Sequence, residues 1–392
     1  MDAKSRRAFL RTSAQLAATA CLAPVLAPLG IAATQPKVLI IGAGAAGMTA
    51  AYLLASEGID FTLLEAAPHV GGRMKRLTGF VDFPIPLGAE WLHGPESLLR
   101  DILARSGEPP PVRTVGYAGD VESGWFARGA LTLEPLGGTD DRKFVGSTWF
   151  DFFEAAVLPA IRDRIRINTR VSHIDYSGGV AGRGVRLSTT DGIQHQADAV
   201  LITVPTQVLK DGDIRFTPDL PADKRAAIEQ AEVWGGIKVF IEFSERFFPA
   251  FLEFPDSDTR NGQRLYYDAA YGQDSHHHVL GLFAVGQQAR RYQGLSATDL
   301  KARVLGELDA VFAGRASKTY VQHVTQDWSR EPHIRSAYLS DHADWRIPRR
   351  LARSVDDRLY FAGEACTEGE DWGGVHDAAR SAREAVERLL SR

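Results

Sequence analysis

Apolar and polar positions alternate along the chain in patterns that predict several elements. KVLIIGAGAAGMTAAYLLASEGIDFTLLEA, from Lys37, reads as a short apolar strand, a glycine turn, a helix, a turn at Gly58 and a second strand ending at Glu65. That order predicts one strand–helix–strand unit. ADAVLITVP at 197–205 is apolar throughout, as in a strand covered on both faces of a parallel sheet, and Pro205 closes it. RLYFAGEA at 358–365 predicts a third strand of this kind. Val375, Ala378, Ala379, Ala382, Val386, Leu389 and Leu390 recur at helical spacing, and so do Leu300, Val304, Leu305, Leu308, Val311 and Phe312 within 297–312. In VWGGIKVFIEF, at 233–243, Ile237, Val239, Ile241 and Phe243 share one face of a strand, while Lys238, Phe240 and Glu242 share the other. Lys238 therefore faces either water or a cavity. Residues 107–148 are rich in Gly and Pro and predict loops and short strands. No internal repeat or low-complexity segment interrupts the chain.

With 392 residues, 44% of them hydrophobic, the chain can bury a large core or two interleaved domains. Its formal charge of −4 leaves no basic excess for phosphates, which argues against nucleic acid and suits a cationic substrate. The opening SRRAFLRTSAQLAATACLAPVLAPLGIAA resembles a twin-arginine export signal, with Arg6 and Arg7 ahead of Phe9 and Leu10. Pro24 and Pro28 would interrupt a membrane-spanning helix there, so we expect a signal over 1–33, a periplasmic protein and no stable membrane span. Losing Lys4, Arg6, Arg7 and Arg11 against Asp2 would leave a mature charge of about −7. Cys21 lies in that segment and has little support as a lipid site; Cys366 would then be the single thiol, which excludes an internal disulfide.

GAGAAG sets Gly42, Gly44 and Gly47 between strand and helix, where glycines permit a tight turn, close approach to a pyrophosphate and helix-on-strand packing. Glu65 follows Gly47 by 18 residues at a strand end, where a carboxylate can accept hydrogen bonds from adenosine ribose hydroxyls. In EAAPHVGGRM a second glycine turn, Gly71–Gly72, is followed by Arg73, a cation suited to a pyrophosphate.

These motifs, with PLGAEWLHG, VPTQVL, WGGIKVFIEF, DWSREPHIRSAY, YFAGEA and GGVHDAARSAREA in that order, resemble the flavin-containing amine oxidase family, from about residue 36 to the C-terminus. GAEWLHG and GGVHDAA are closer to its polyamine oxidase branch than to monoamine oxidases. The resemblance implies an α/β fold: a glutathione-reductase-like, FAD-binding Rossmann domain from 36–95, 153–230 and 330–392, and a smaller α+β substrate domain from 96–152 and 231–329. It implies non-covalent FAD, because Ala337 stands where monoamine oxidases carry the tethering cysteine. The implied FAD contacts are Gly42, Gly44, Ala45, Ala46, Gly47, Glu65, Ala66, Gly72 and Arg73, then Gly88, Ala89, Glu90, Val171 and Trp328, and finally Gly363, Glu364, Gly374 and Val375. Lys238 would hold a water against flavin N5, Trp328 would pack by the cofactor, and Tyr338, ten residues on, would flank the substrate amine. His93 would lie near the substrate. The implied reaction is hydride transfer from the amine α-carbon to flavin N5, imine hydrolysis, and reoxidation by O2 to give peroxide.

The chain departs from the family pattern in two places. The second aromatic of the monoamine oxidase cage falls at Gly374, with Trp372 as a substitute. The segment between WLHG and WFDFFEAAVLPAIRDRIRI is far shorter than the family's helical lid, so we expect an open pocket or one completed by a second subunit, as in a homodimer. No metal site is expected, because His276, His277 and His278 lack a companion acid pattern, and Cys366, with no neighbouring base in sequence, reads as structural. Two rival readings are an L-amino-acid oxidase, for which neither Arg264 nor Arg335 can be assigned to a substrate carboxylate, and a flavin-binding accessory protein with reduced turnover. A nicotinamide dehydrogenase would leave the C-terminal return to the cofactor unexplained.

Overall fold

Strand Val38–Ile41 lies at the centre of a five-stranded sheet whose order runs Ile165–Arg166, Phe61–Leu64, Val38–Ile41, Ala199–Ile202, Leu359–Phe361, with every pairing parallel. This computed structural model describes residues 36–103, 112–178 and 184–391. The expected export signal lies outside them. The sheet strands are apolar throughout because both faces are covered. Val38, Ile40, Leu63 and Leu201 enter one core with helices Ala45–Ser56, Trp149–Ala156 and Val375–Leu390. Leu39, Ile41, Leu64, Val200 and Ile202 enter a second. That second core is closed by a four-stranded sheet containing Val171–Asp175 and Val185–Thr189, and by helices Ala222–Gln230 and Arg346–Ala352.

The C-terminal helix follows its expected stripe, with Ala378, Ala379, Ala382, Val386 and Leu389 buried; Leu390, assigned to that stripe, is exposed. Small residues let this helix lie close against Ala45–Ser56. Gly47 serves the same end: a Cβ there would stand 1.8 Å from the Gly42 carbonyl oxygen.

A second, eight-stranded sheet carries Gly236–Phe243 between Tyr320–Asp327 and His278–Val285, antiparallel to both. Ile237, Val239, Ile241 and Phe243 pack beneath helix Ala297–Phe312, with Leu300, Val304, Leu305, Leu308 and Phe312. Phe240 faces a different core containing Phe83, Ile85, Leu87 and Tyr267. Both faces of this strand are covered, so its period-two pattern separates two interiors. The Gly/Pro-rich stretch supplies strands Arg113–Gly116, Glu122–Ala127, Ala130–Pro135 and Asp141–Val145. The middle pair forms a hairpin that joins the eight-stranded sheet through Phe251–Glu253.

Candidate active site

Between the two sheets lies a cavity of about 580 Å³, within the range of small-molecule and cofactor sites. Helix Ala45–Ser56 opens onto it at Gly44, with no side chain capping its first turn, and helix Val375–Leu390 opens onto it at Gly374. Each presents the positive end of a helix dipole, suited to an anion. Gly42, with φ of 103°, makes the turn that a side chain would strain. A Cβ on Gly44 would meet no protein atom within 4 Å, which leaves room for close backbone approach by a ligand. The Glu65 carboxylate accepts from Ala43 N (2.6 Å) and Ala67 N (2.8 Å), which aligns it at the cavity wall. These features fit the ADP half of FAD.

Of the residues expected to contact the cofactor or substrate, Gly47 packs between helix and strand, and the others line this one cavity. Two of them pair with each other: Arg73 Nη1 donates to Glu364 Oε1 (3.0 Å) and to the Ala337 carbonyl. The Trp328 indole N–H donates to Leu87 O (3.0 Å), pressing the ring against Gly88, where a Cβ would lie 2.8 Å from it.

Lys238 is 4% exposed, which rules out the water-facing alternative. Its Nζ donates to Glu90 Oε2 (2.6 Å), Gly88 O (3.0 Å) and Pro86 O (3.2 Å). The ammonium's three donors therefore have protein acceptors, and a water on Lys238 would have to share one of them. Glu90 Oε1 accepts from Lys143 Nζ (2.8 Å), and Tyr267 OH donates to Glu90 Oε2. Burial pushes the Glu90 carboxyl up, but Lys143 and Lys238 overcome it and hold it below its ordinary value. Burial lowers the Lys238 amine and the Lys143 charge adds to that; Glu90 opposes, and the net direction is down. Burial, then Glu90, push the Tyr267 phenol well above its ordinary value, so it stays a donor.

Tyr338 lines the cavity, and burial raises its phenol well above the ordinary value. The ring packed on it is Trp234, its direct register partner, with centroids 6.1 Å apart. The suggested substitute, Trp372, lines the cavity but gives its indole N–H to Ser340 O (2.9 Å); Gly373 lies across from Tyr338, where a Cβ would be 3.7 Å from Cδ2. His93 is exposed and pairs through Nδ1 with Asp141 Oδ1 (2.8 Å). Burial lowers its pKa, but Asp141 outweighs that and the net direction is up. Asp141, Asp341 and Asp371 add carboxylates to the lining, and burial raises Asp341. The lining arginines are Arg73 and Arg170. Arg264 is instead held by Asp256 and Glu307, and Arg335 by Asp211 and Asp213.

Among the described residues, Asp371, His376 and Asp377 are the one group with metal-type ligand atoms close together. Asp377 already accepts from Gly374 N (3.0 Å) and Arg380 (2.7 Å), so it reads as a helix cap. His277, of the histidine run, pairs with Glu242. Sequence reasoning missed Lys143, Tyr267 and Trp234. For Lys143 a signal existed, a lysine inside the strand-like DRKFV, parallel to Lys238 in its own strand.

A model of flavin-containing amine oxidoreductases matches residues 143–390, and one of NAD(P)-binding Rossmann-like domains matches 40–106. The chain is 26% identical to polyamine oxidase 4 of Oryza sativa subsp. japonica, over 92% of this chain and 90% of that protein. It is 24% identical to polyamine oxidase 2 of Arabidopsis thaliana, over 91% and 89%. The fold matches a putrescine oxidase bound to putrescine with a TM-score of 0.74 at 16% identity, covering 91% of this chain and 99% of that one. It also matches cyclohexylamine oxidase from Brevibacterium oxydans with a TM-score of 0.73 at 15% identity, over 91% and 100%.

Proposed function

Because the chain belongs to the flavin-containing amine oxidoreductases, its activity is FAD-dependent amine oxidation, and we propose that its substrate is an aliphatic primary or secondary amine, with diamines and polyamines foremost. One observation carries this reading: the cavity lined by Gly44 and Glu65 is also lined by Lys238, Trp328 and Tyr338, and by the carboxylates of Asp141, Asp341 and Asp371. FAD supplies the two-electron acceptor. Gly42, Gly44 and Glu65 would hold its ADP half, and Arg73 and Glu364 stand in the same lining. Tyr338, kept neutral by burial, gives the amine an electron-rich ring face. Low polarity around it favours the uncharged amine that can be oxidised. The acids draw a cation to the cavity and suit a second amine on the same substrate. The chain's relatives include enzymes named polyamine oxidase, which supports that preference. Among the described residues a substrate carboxylate has no comparable unpaired arginine, since of the lining arginines Arg73 is paired with Glu364 and Arg170 with Asp213, and Arg264 and Arg335 are engaged elsewhere.

O2 as acceptor with peroxide as product, a homodimer completing the short lid, and export of the folded protein to the periplasm through Arg6 and Arg7 belong to the same proposal. They are tested by peroxide detection, light scattering, and a reporter fused to residues 1–35. The central test is anaerobic mixing of purified protein with monoamines, diamines, polyamines and amino acids while the visible flavin band is followed. Bleaching by diamines or polyamines is expected; bleaching by amino acids alone would overturn the substrate class, and bleaching by none would favour an accessory protein.

A further inference from the structure

At the cavity wall and continuing behind it lies a charged group of which the amine reading uses only Lys238. Glu90 bridges Lys238 (2.6 Å) and Lys143 (2.8 Å), and the three side chains are 5% exposed or less. Lys143 stands one carboxylate behind the wall and donates further to Ala269 O (2.9 Å) and Asp268 O (3.2 Å). Each amine thus meets three acceptors, the number an ammonium can satisfy. A neutral amine would turn a lone pair onto a carbonyl or carboxylate. The rings of Phe240, Trp91 and Tyr267 lie 5.2, 5.4 and 5.4 Å from Lys238 Nζ, and Tyr267 lies 5.3 Å from Lys143 Nζ, which also favours cations. Tyr267 is neutral, and the nearby Asp268 carboxylate is balanced by Arg246 at 3.0 Å. Two ammoniums against one carboxylate leave a buried net charge of +1 beside the cavity.

We propose that Lys143 is a positioning residue: by donating to Glu90 Oε1 it holds Glu90 as the carboxylate that accepts from the Lys238 ammonium, and its own charge keeps this wall net positive, so that the reduced, more negative cofactor is favoured over the oxidised one. Lys238 then cannot accept a proton from substrate. The inference rests on the family reading that FAD fills this cavity.

The test is the equilibrium between FAD-loaded protein and a reference redox dye, measured below neutral pH. Lys143→Met removes the surplus charge and should move the equilibrium about tenfold toward oxidised protein, equal to about 30 mV for a two-electron couple. Glu90→Gln leaves two ammoniums and should move it the opposite way. Glu90→Gln combined with Lys143→Met restores +1 and should return it close to the starting value. A loosened structure would move all three variants alike, so opposite signs separate charge from packing. Unchanged equilibria in folded, FAD-loaded Lys143→Met, or shifts of one sign throughout, would overturn the proposal. If Lys143→Met fails to accumulate, the double variant measured against Glu90→Gln carries the same comparison. Protein that takes up no FAD would instead overturn the family reading.

Discussion

Replacing Glu90 by glutamine should cost more stability than removing either lysine it bridges. The substitution keeps size and one carbonyl acceptor but deletes the charge between two ammoniums. Contacts of 2.6 and 2.8 Å to opposite carboxylate oxygens place those nitrogens roughly 5–7 Å apart, where unit charges repel by about 2–3 kcal/mol at an effective dielectric near 20. The amide N–H2 also faces one ammonium as a donor against a donor. Together these approach the ~3–5 kcal/mol typical of orphaning a buried charge. Lys143→Met, by contrast, leaves Glu90 Oε2 with Lys238 and Tyr267 and Asp268 O with Tyr271 N, and strands Glu90 Oε1 and the Ala269 carbonyl, a cost of about 1–3 kcal/mol. Urea denaturation of FAD-loaded protein, followed by far-ultraviolet circular dichroism, measures both. The Glu90→Gln deficit should shrink as pH rises from neutral toward 10, because one crowded ammonium can then release its proton. Equal costs for the two variants, or a Glu90→Gln deficit indifferent to pH, would refute the reasoning.

The two glycines at the first turn should fail differently on conversion to alanine. Gly47→Ala sets a Cβ 1.8 Å from the Gly42 carbonyl oxygen and should prevent folding, whereas Gly44→Ala meets no protein atom within 4 Å and should fold but bind FAD at least tenfold more weakly, as titration of apoprotein would show. Burial brings the Lys224 amine to about 7, from an ordinary 10.5. Between those values the unfolded chain binds the proton that the folded protein lacks, so stability rises with pH across that window. Lys224→Met should remove this share of the rise, read as a smaller difference between urea midpoints near pH 7 and pH 10 than in the unsubstituted protein.

The parts legible in the sequence are those where one local rule suffices. Unbroken apolar runs gave the central strands because both sheet faces are buried, and the helical stripe at 375–390 gave the helix that returns to the cavity. Chemistry set by distant pairing was less legible. Lys143 meets Glu90 across 53 positions, and no spacing rule links them. Trp372, the expected second ring of the cage, does line the cavity with Tyr338, whereas Trp234, outside that lining, reaches the Tyr338 ring through strand register that no local rule shows. Period two in Gly236–Phe243 separated the faces correctly and left Lys238 ambiguous, because alternation reports which residues share a face and not whether that face meets water or a second core.

That second core bears on why the charges are there. Taking two ammoniums and a carboxylate out of water costs several kcal/mol per ion, and even good pairing often only offsets it; well-packed apolar residues of similar size are commonly as stable or more so. The neighbourhood of Lys238 is already suited to such a replacement, since Trp91, Phe240 and Tyr267 surround its amine. Stability alone therefore gives no reason for three ionisable side chains at this place. What an apolar triad could not supply is a fixed charge whose hydrogen bonds are all met inside the protein, so that it neither wanders nor demands water. Such a charge acts on the cavity without reorganising when the charge of the cavity's contents changes, which is the property electrostatic preorganisation requires.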